Sequence, residues 1–157
     1  MEIKRYGAKE FLAAGKLCIR ENEIHIWCIC WPEMTDFWVN HEYILSGQES
    51  EQVGRFRFSE DRMRYIAGKV VVRLLLKRYL DVETIDFSVS ERGKPYHKKI
   101  AGKQTVDFNI SHSGEFILAG FAVGMDIGVD VQEMAGCPDY REIAGNFYTE
   151  EEAEDVI

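Results

Sequence analysis

The chain has 157 residues, 46% of them hydrophobic and 29% charged, with a formal net charge of -8. That length buries one sizeable core, so one domain or slightly more is expected. The acidic balance argues against a general nucleic-acid binder, which needs a basic surface, and no apolar run approaches the length of a membrane span.

Met1-Glu2-Ile3-Lys4-Arg5 lacks the features of a signal peptide, so a cytoplasmic location is expected. The first twenty residues carry no usable pattern and read as an extension. Residues 23–31 read as the first strand, which Pro32 ends, and residues 33–43 as a short helix or loop. Cys28 and Cys30 lie two apart on that strand and share a face; reduced core thiols are expected, since no second ligand pair stands at zinc spacing.

Ser59-Glu60-Asp61 predicts a helix start, a capping hydroxyl followed by acids. Met63, Ile66, Ala67, Val70, Leu74 and Leu75 then recur at helical spacing, with Arg62, Lys69, Arg73 and Lys77 on other faces. The helix is predicted over about Ser59 to Leu80. Ile85, Phe87 and Val89 alternate as a strand stopped by Arg92-Gly93-Lys94-Pro95, a turn signal. Strands are predicted at residues 106–110, 116–123 and 127–131, with Gly124-Met125-Asp126 as the last turn. Thr149-Glu150-Glu151-Glu152 is a capping box and predicts a final helix start. Helix and strands without regular β-α-β alternation argue for an α+β fold.

Three segments carry candidate chemistry. Phe108-Asn109-Ile110-Ser111-His112-Ser113-Gly114 puts hydroxyls and an imidazole at a strand end, a donor set for phosphate, although a plain polar turn has the same composition. In Gly128-Val129-Asp130-Val131-Gln132, period-two alternation puts Asp130 and Gln132 on one face, where their oxygens suit a hard cation such as Mg²⁺. Spacing alone equally describes a strand with a solvated polar face. Lys94 follows Gly93 in a turn and can reach an anion.

These segments, in order, resemble the G-K-P, F-N-[IL]-S-H-[ST] and G-[IV]-D-[IV]-E patterns of the 4'-phosphopantetheinyl transferases of the longer, two-lobed type. The resemblance covers roughly residues 27–152. The family's fourth pattern, W-x-x-K-E-[AS], does not occur before Ile157. The resemblance implies a lobe of antiparallel strands packed on a long helix, residues 1–120, and the opening of an incomplete second lobe, residues 121–157. It implies transfer of the 4'-phosphopantetheine arm of coenzyme A to a serine of an acyl or peptidyl carrier protein, with Mg²⁺, releasing adenosine 3',5'-bisphosphate. Asp130 falls on the family's metal-binding Asp, and Gln132 on its Glu, where an amide is a weaker ligand. Lys94, Ser111, His112 and Arg64 fall on residues that bind coenzyme A. Asp130, His112 and Glu152 fall on the catalytic set, Glu152 within F-[FY]-[ST]-x-x-E.

Two features set the chain apart from the pattern. Gln48-Glu49-Ser50-Glu51-Gln52 is acidic or neutral where the family is often basic, leaving Arg55 and Arg57 as stand-ins. The missing fourth pattern leaves two alternatives open: a relative that binds coenzyme A without transferring the arm, or a partial lobe completed by another chain, with self-association through the incomplete lobe. No nucleic-acid or membrane partner is expected.

Overall fold

The computed structural model describes residues 1–91 and 93–134. Strand β1 (Glu2–Tyr6) and helix α1 (Ala8–Ala13) precede the central strand β2 (Glu23–Cys30). Helix α2 (Thr35–His41) sits between two 3-10 turns, Trp31–Met34 and Glu42–Ile44, and α3 (Gly47–Val53) follows. The long helix α4 (Ser59–Leu80) leads to a small hairpin, β3 (Phe87–Val89) and β4 (Pro95–His97), and then to β5 (Val106–Ser113) and β6 (Phe116–Val123).

The main sheet has the order β1-β2-β6-β5. β2, β6 and β5 pair antiparallel, as expected, but β1 joins β2 in parallel. The opening residues are therefore an edge strand of the sheet rather than an extension. Lys4 secures that edge by donating a 2.7 Å hydrogen bond to Glu23, whose carboxyl it holds down at about 2. The α+β class stands, and β6 runs to Val123.

α4 covers one face of the sheet. On that face Trp27, Ile29, Phe108, Ile117, Ala119 and Phe121 are buried with Ile66, Val70, Leu75 and Leu76 of the helix. Burying so much apolar surface is what holds helix to sheet. Tyr79 on α4 receives the Trp27 indole N–H at 3.0 Å and lies 2.8 Å from His25 Nδ1.

The helix bounds agree with the periodicity, but its start does not use the expected cap. Phe58 is the N-cap residue, with no side-chain bond, and Ser59 is already helical. Arg73, expected off the apolar stripe, is buried, and its guanidinium bonds to Glu49 on α3 and to the Ile85 carbonyl while stacking over Phe87. Burial would push the Glu49 carboxyl up; the Ser46 N–H, Arg73 and Lys69 outweigh it and hold the group below its usual range.

Cys28 and Cys30 share a face, but it is the face opposite α4. Cys28 is exposed and Cys30 half-buried, so neither belongs to the core. The buried residues of β2 are Glu23, His25, Trp27 and Ile29, the other half of its alternation. Among the described residues no helix is long and apolar enough to cross a membrane.

Candidate functional site

Alternation along β5 sends Phe108, Ile110 and His112 toward α4 and Asn109, Ser111 and Ser113 to the other face. Adjacent strand residues cannot share a face, so Ser111 and His112 do not form one donor cluster. Each belongs to a different side of the sheet.

On the side opposite α4 lies the segment 127–133. It is not a sheet strand, contrary to the expectation for residues 127–131. Its alternation is nevertheless used, because its N–H groups bond to side chains of β5. Val129 N–H donates to Asn109 Oδ1 at 2.9 Å, Val131 N–H to Ser111 Oγ at 3.2 Å, and Glu133 N–H to Ser113 Oγ at 2.9 Å. Ser111 Oγ in turn donates to Asp130 Oδ1 at 2.7 Å, so the hydroxyl proton expected for phosphate faces a carboxylate. Asp130 and Gln132 are both exposed.

Lys94 reaches the same segment. Its Nζ donates to the Ile127 carbonyl at 3.1 Å and lies 3.8 Å from the Asp126 carboxylate. The turn that carries it is closed by Gly93, at φ +79°, and by the Ser90 hydroxyl, which accepts from the Lys94 N–H. Arg64, near the start of α4, points to the β5–β6 turn. It pairs with Asp61 and donates to the Gly114 carbonyl at 3.0 Å, which also accepts from the Trp31 indole at 3.1 Å. A Cβ at Gly114 would meet the Glu133 carboxylate at 2.6 Å, so segment, turn and helix start are packed together.

His112 lines a cavity of about 1110 Å³ on the helix side, between α3, α4 and the β3–β4 hairpin. Gln48, Lys69, Arg73 and Lys77 also line it. Glu49 occupies Arg73 and lies 3.6 Å from Lys69, so an acidic residue sits where the sequence already lacked a basic rim. Sequence reasoning missed both Glu49 and Arg73. The signal was present: Arg73 stands three residues after Val70 and seven after Ile66, on the stripe itself.

The donors at Asp130 fit Mg²⁺ by chemistry: an exposed carboxylate, with the exposed Gln132 amide two residues further on. Mg²⁺ is commonly held by one or two carboxylates together with substrate phosphates and water. Among the described residues no group of three His, Cys, Asp or Glu side chains gathers as a closed metal site. Glu152 lies outside the described residues, as does the predicted helix start at Thr149.

Comparison with known proteins matches residues 30–122 to the family described as 4'-phosphopantetheinyl transferase, N-terminal. The match takes in Arg64, Lys94, Ser111 and His112 and ends before Asp130. Among individual proteins, the chain is 35% identical over 115 residues to the 4'-phosphopantetheinyl transferase Sfp of Bacillus subtilis, covering 72% of this chain and 49% of that protein. It is 33% identical over 115 residues to ffp of Bacillus subtilis, with the same coverage. To the 4'-phosphopantetheinyl transferase HetI of a Nostoc species it is 29% identical over 140 residues, 88% of this chain and 59% of the relative. The chain thus spans about half the length of the curated relatives it matches.

Proposed function

The chain belongs to the 4'-phosphopantetheinyl transferase family, and from that premise we propose that it serves in moving the phosphopantetheine arm of coenzyme A to a serine of an acyl or peptidyl carrier protein. In that reaction the serine oxygen bonds to the phosphorus nearer the pantetheine, and the anhydride bond from that phosphorus breaks. The serine proton is released and adenosine 3',5'-bisphosphate leaves.

The observation that carries this reading is convergence. Lys94, Ser111 and Asp130 come from three separate segments, and each makes contact within residues 127–133 or is part of it. A cation and a carboxylate held on one stretch of backbone suit a diphosphate bound through a metal. Asp130, with Gln132 beside it, would hold Mg²⁺, which when bound supplies charge neutralisation at the diphosphate. Ser111 holds the Asp130 carboxylate in place. Lys94 sets a positive charge at the Ile127 end of the same segment, and Arg64 braces the adjoining turn. On the helix side, His112 and the cavity it lines suit the nucleotide end of coenzyme A. Fixed position and fixed charge are the main resources for phosphoryl transfer, since the protein has little covalent chemistry to do.

A second reading, binding of coenzyme A without transfer, draws support from one residue. Gln132 is a neutral amide where the family pattern has a carboxylate. Incubating the chain with coenzyme A, Mg²⁺ and an apo carrier protein separates the two. A carrier mass increased by the arm is the result expected for transfer. Bound coenzyme A with an unmodified carrier favours the second reading, and no binding at all overturns both.

A further inference from the structure

We propose that Asn109, Ser111 and Ser113 are positioning residues: their side chains form a ladder that sets the register of residues 127–133 and so presents Asp130, rather than a neighbouring valine, at the site. The proposal deepens the reading of Asp130 given above and rests on it.

Three bonds define the ladder, from the N–H groups of Val129, Val131 and Glu133 to Asn109 Oδ1, Ser111 Oγ and Ser113 Oγ. Both sets advance by two residues, so the segment follows β5 rung for rung while making side-chain rather than main-chain bonds. A second, independent feature fixes the same alignment. Gly120 lies opposite Asn109 in the sheet, and a Cβ there would meet Val129 Cγ1 at 2.6 Å and Ile127 Cδ1 at 2.8 Å. The missing side chain makes a socket that those two apolar groups fill. Polar rungs and apolar socket together leave one register. A slip of one residue would reverse every side chain and put Val129 or Val131 where Asp130 stands. Ser111 reads the result directly, since its hydroxyl accepts from Val131 N–H and donates to Asp130 Oδ1.

The test uses the full chain labelled with nitrogen-15 and Mn²⁺ as a paramagnetic probe for the Mg²⁺ position. Two quantities are followed: hydrogen exchange at the Val129 and Glu133 amides, and the Mn²⁺ concentration that half-broadens the Asp130 resonance. Asn109→Ala with Ser113→Ala should speed exchange by about tenfold, the loss of one ordinary hydrogen bond at each amide, and raise the Mn²⁺ concentration severalfold. Gly120→Val should do the same with every polar group intact, by filling the socket. Ser113→Thr keeps the hydroxyl and should leave both quantities near those of the unaltered chain. Amides of α4, protected alike in all variants, report that the fold is kept.

Unchanged exchange in the alanine variant overturns the ladder. Faster exchange with an unchanged Mn²⁺ response overturns the positioning role. An unaltered chain whose Asp130 resonance ignores Mn²⁺ overturns the metal reading instead, a failure told apart because exchange still responds to the substitutions.

Discussion

The two faces of the sheet are made from one strand alternation and do opposite jobs. The face toward α4 is apolar, with Trp27, Ile29, Ile117 and Phe121 nearly inaccessible. The other face carries Asn109, Ser111 and Ser113, and the segment laid over them is held by three single hydrogen bonds and by Ile127 and Val129 at the Gly120 socket. Burial stabilises without direction, whereas hydrogen bonds contribute little net stability but fix orientation. Most of the stability therefore resides on the helix face, and the placement of Asp130 is set on the opposite one.

The largest way to break this comparison is through the core. Leu75→Ala removes a fully buried side chain from α4 and should lower stability by about 3 kcal/mol, measured by urea unfolding. Loss of the same size from Ser111→Ala would show that the faces are not divided as described. Next comes the tie between α3 and α4. Glu49→Gln keeps the shape but weakens the bonds to Arg73, and should lower stability by roughly 2 kcal/mol. A stability gain would mean that the pair costs more in desolvation than it returns.

The smallest effect is expected from pH. Burial pushes the His25 imidazole down from its usual value, with Glu23 opposing, so the fold disfavours the protonated ring. The unfolded chain then binds the extra proton, and stability falls as pH drops below about 6.5. Glu23 is held down by Lys4, so its contribution is present above the ordinary carboxylate range and is lost further down, as pH falls toward about 2. Melting temperature against pH should show both declines, and His25→Phe should remove only the first.

Much of the framework was legible in the sequence. The bounds of α4 follow from long, regular periodicity and those of β6 from a continuous apolar run ended by Gly124, and the α+β class follows from their arrangement. β1 was not legible, because Glu2, Lys4 and Arg5 give an exposed edge strand no apolar alternation to show. The alternation at residues 127–131 was read correctly, yet it serves side-chain rungs rather than a sheet ladder, and rungs have no sequence period of their own on the partner strand beyond Asn109-x-Ser111-x-Ser113. The separation of Ser111 from His112 was available from period two and was obscured by treating a motif as a cluster. Arg73 was set off the apolar stripe with the other basic residues of α4; its spacing pointed inward, and Glu49, distant in sequence, made burial tolerable.

The most direct test of the central claim, that the face opposite α4 binds coenzyme A through a cation held at Asp130, is a calorimetric titration of coenzyme A. It is run with Mg²⁺ and with chelator, on the unaltered chain and on Asp130→Ala. Binding by the unaltered chain should strengthen with Mg²⁺, and that dependence should vanish in Asp130→Ala while the melting temperature stays nearly unchanged. Equal affinities in all four titrations would contradict the account.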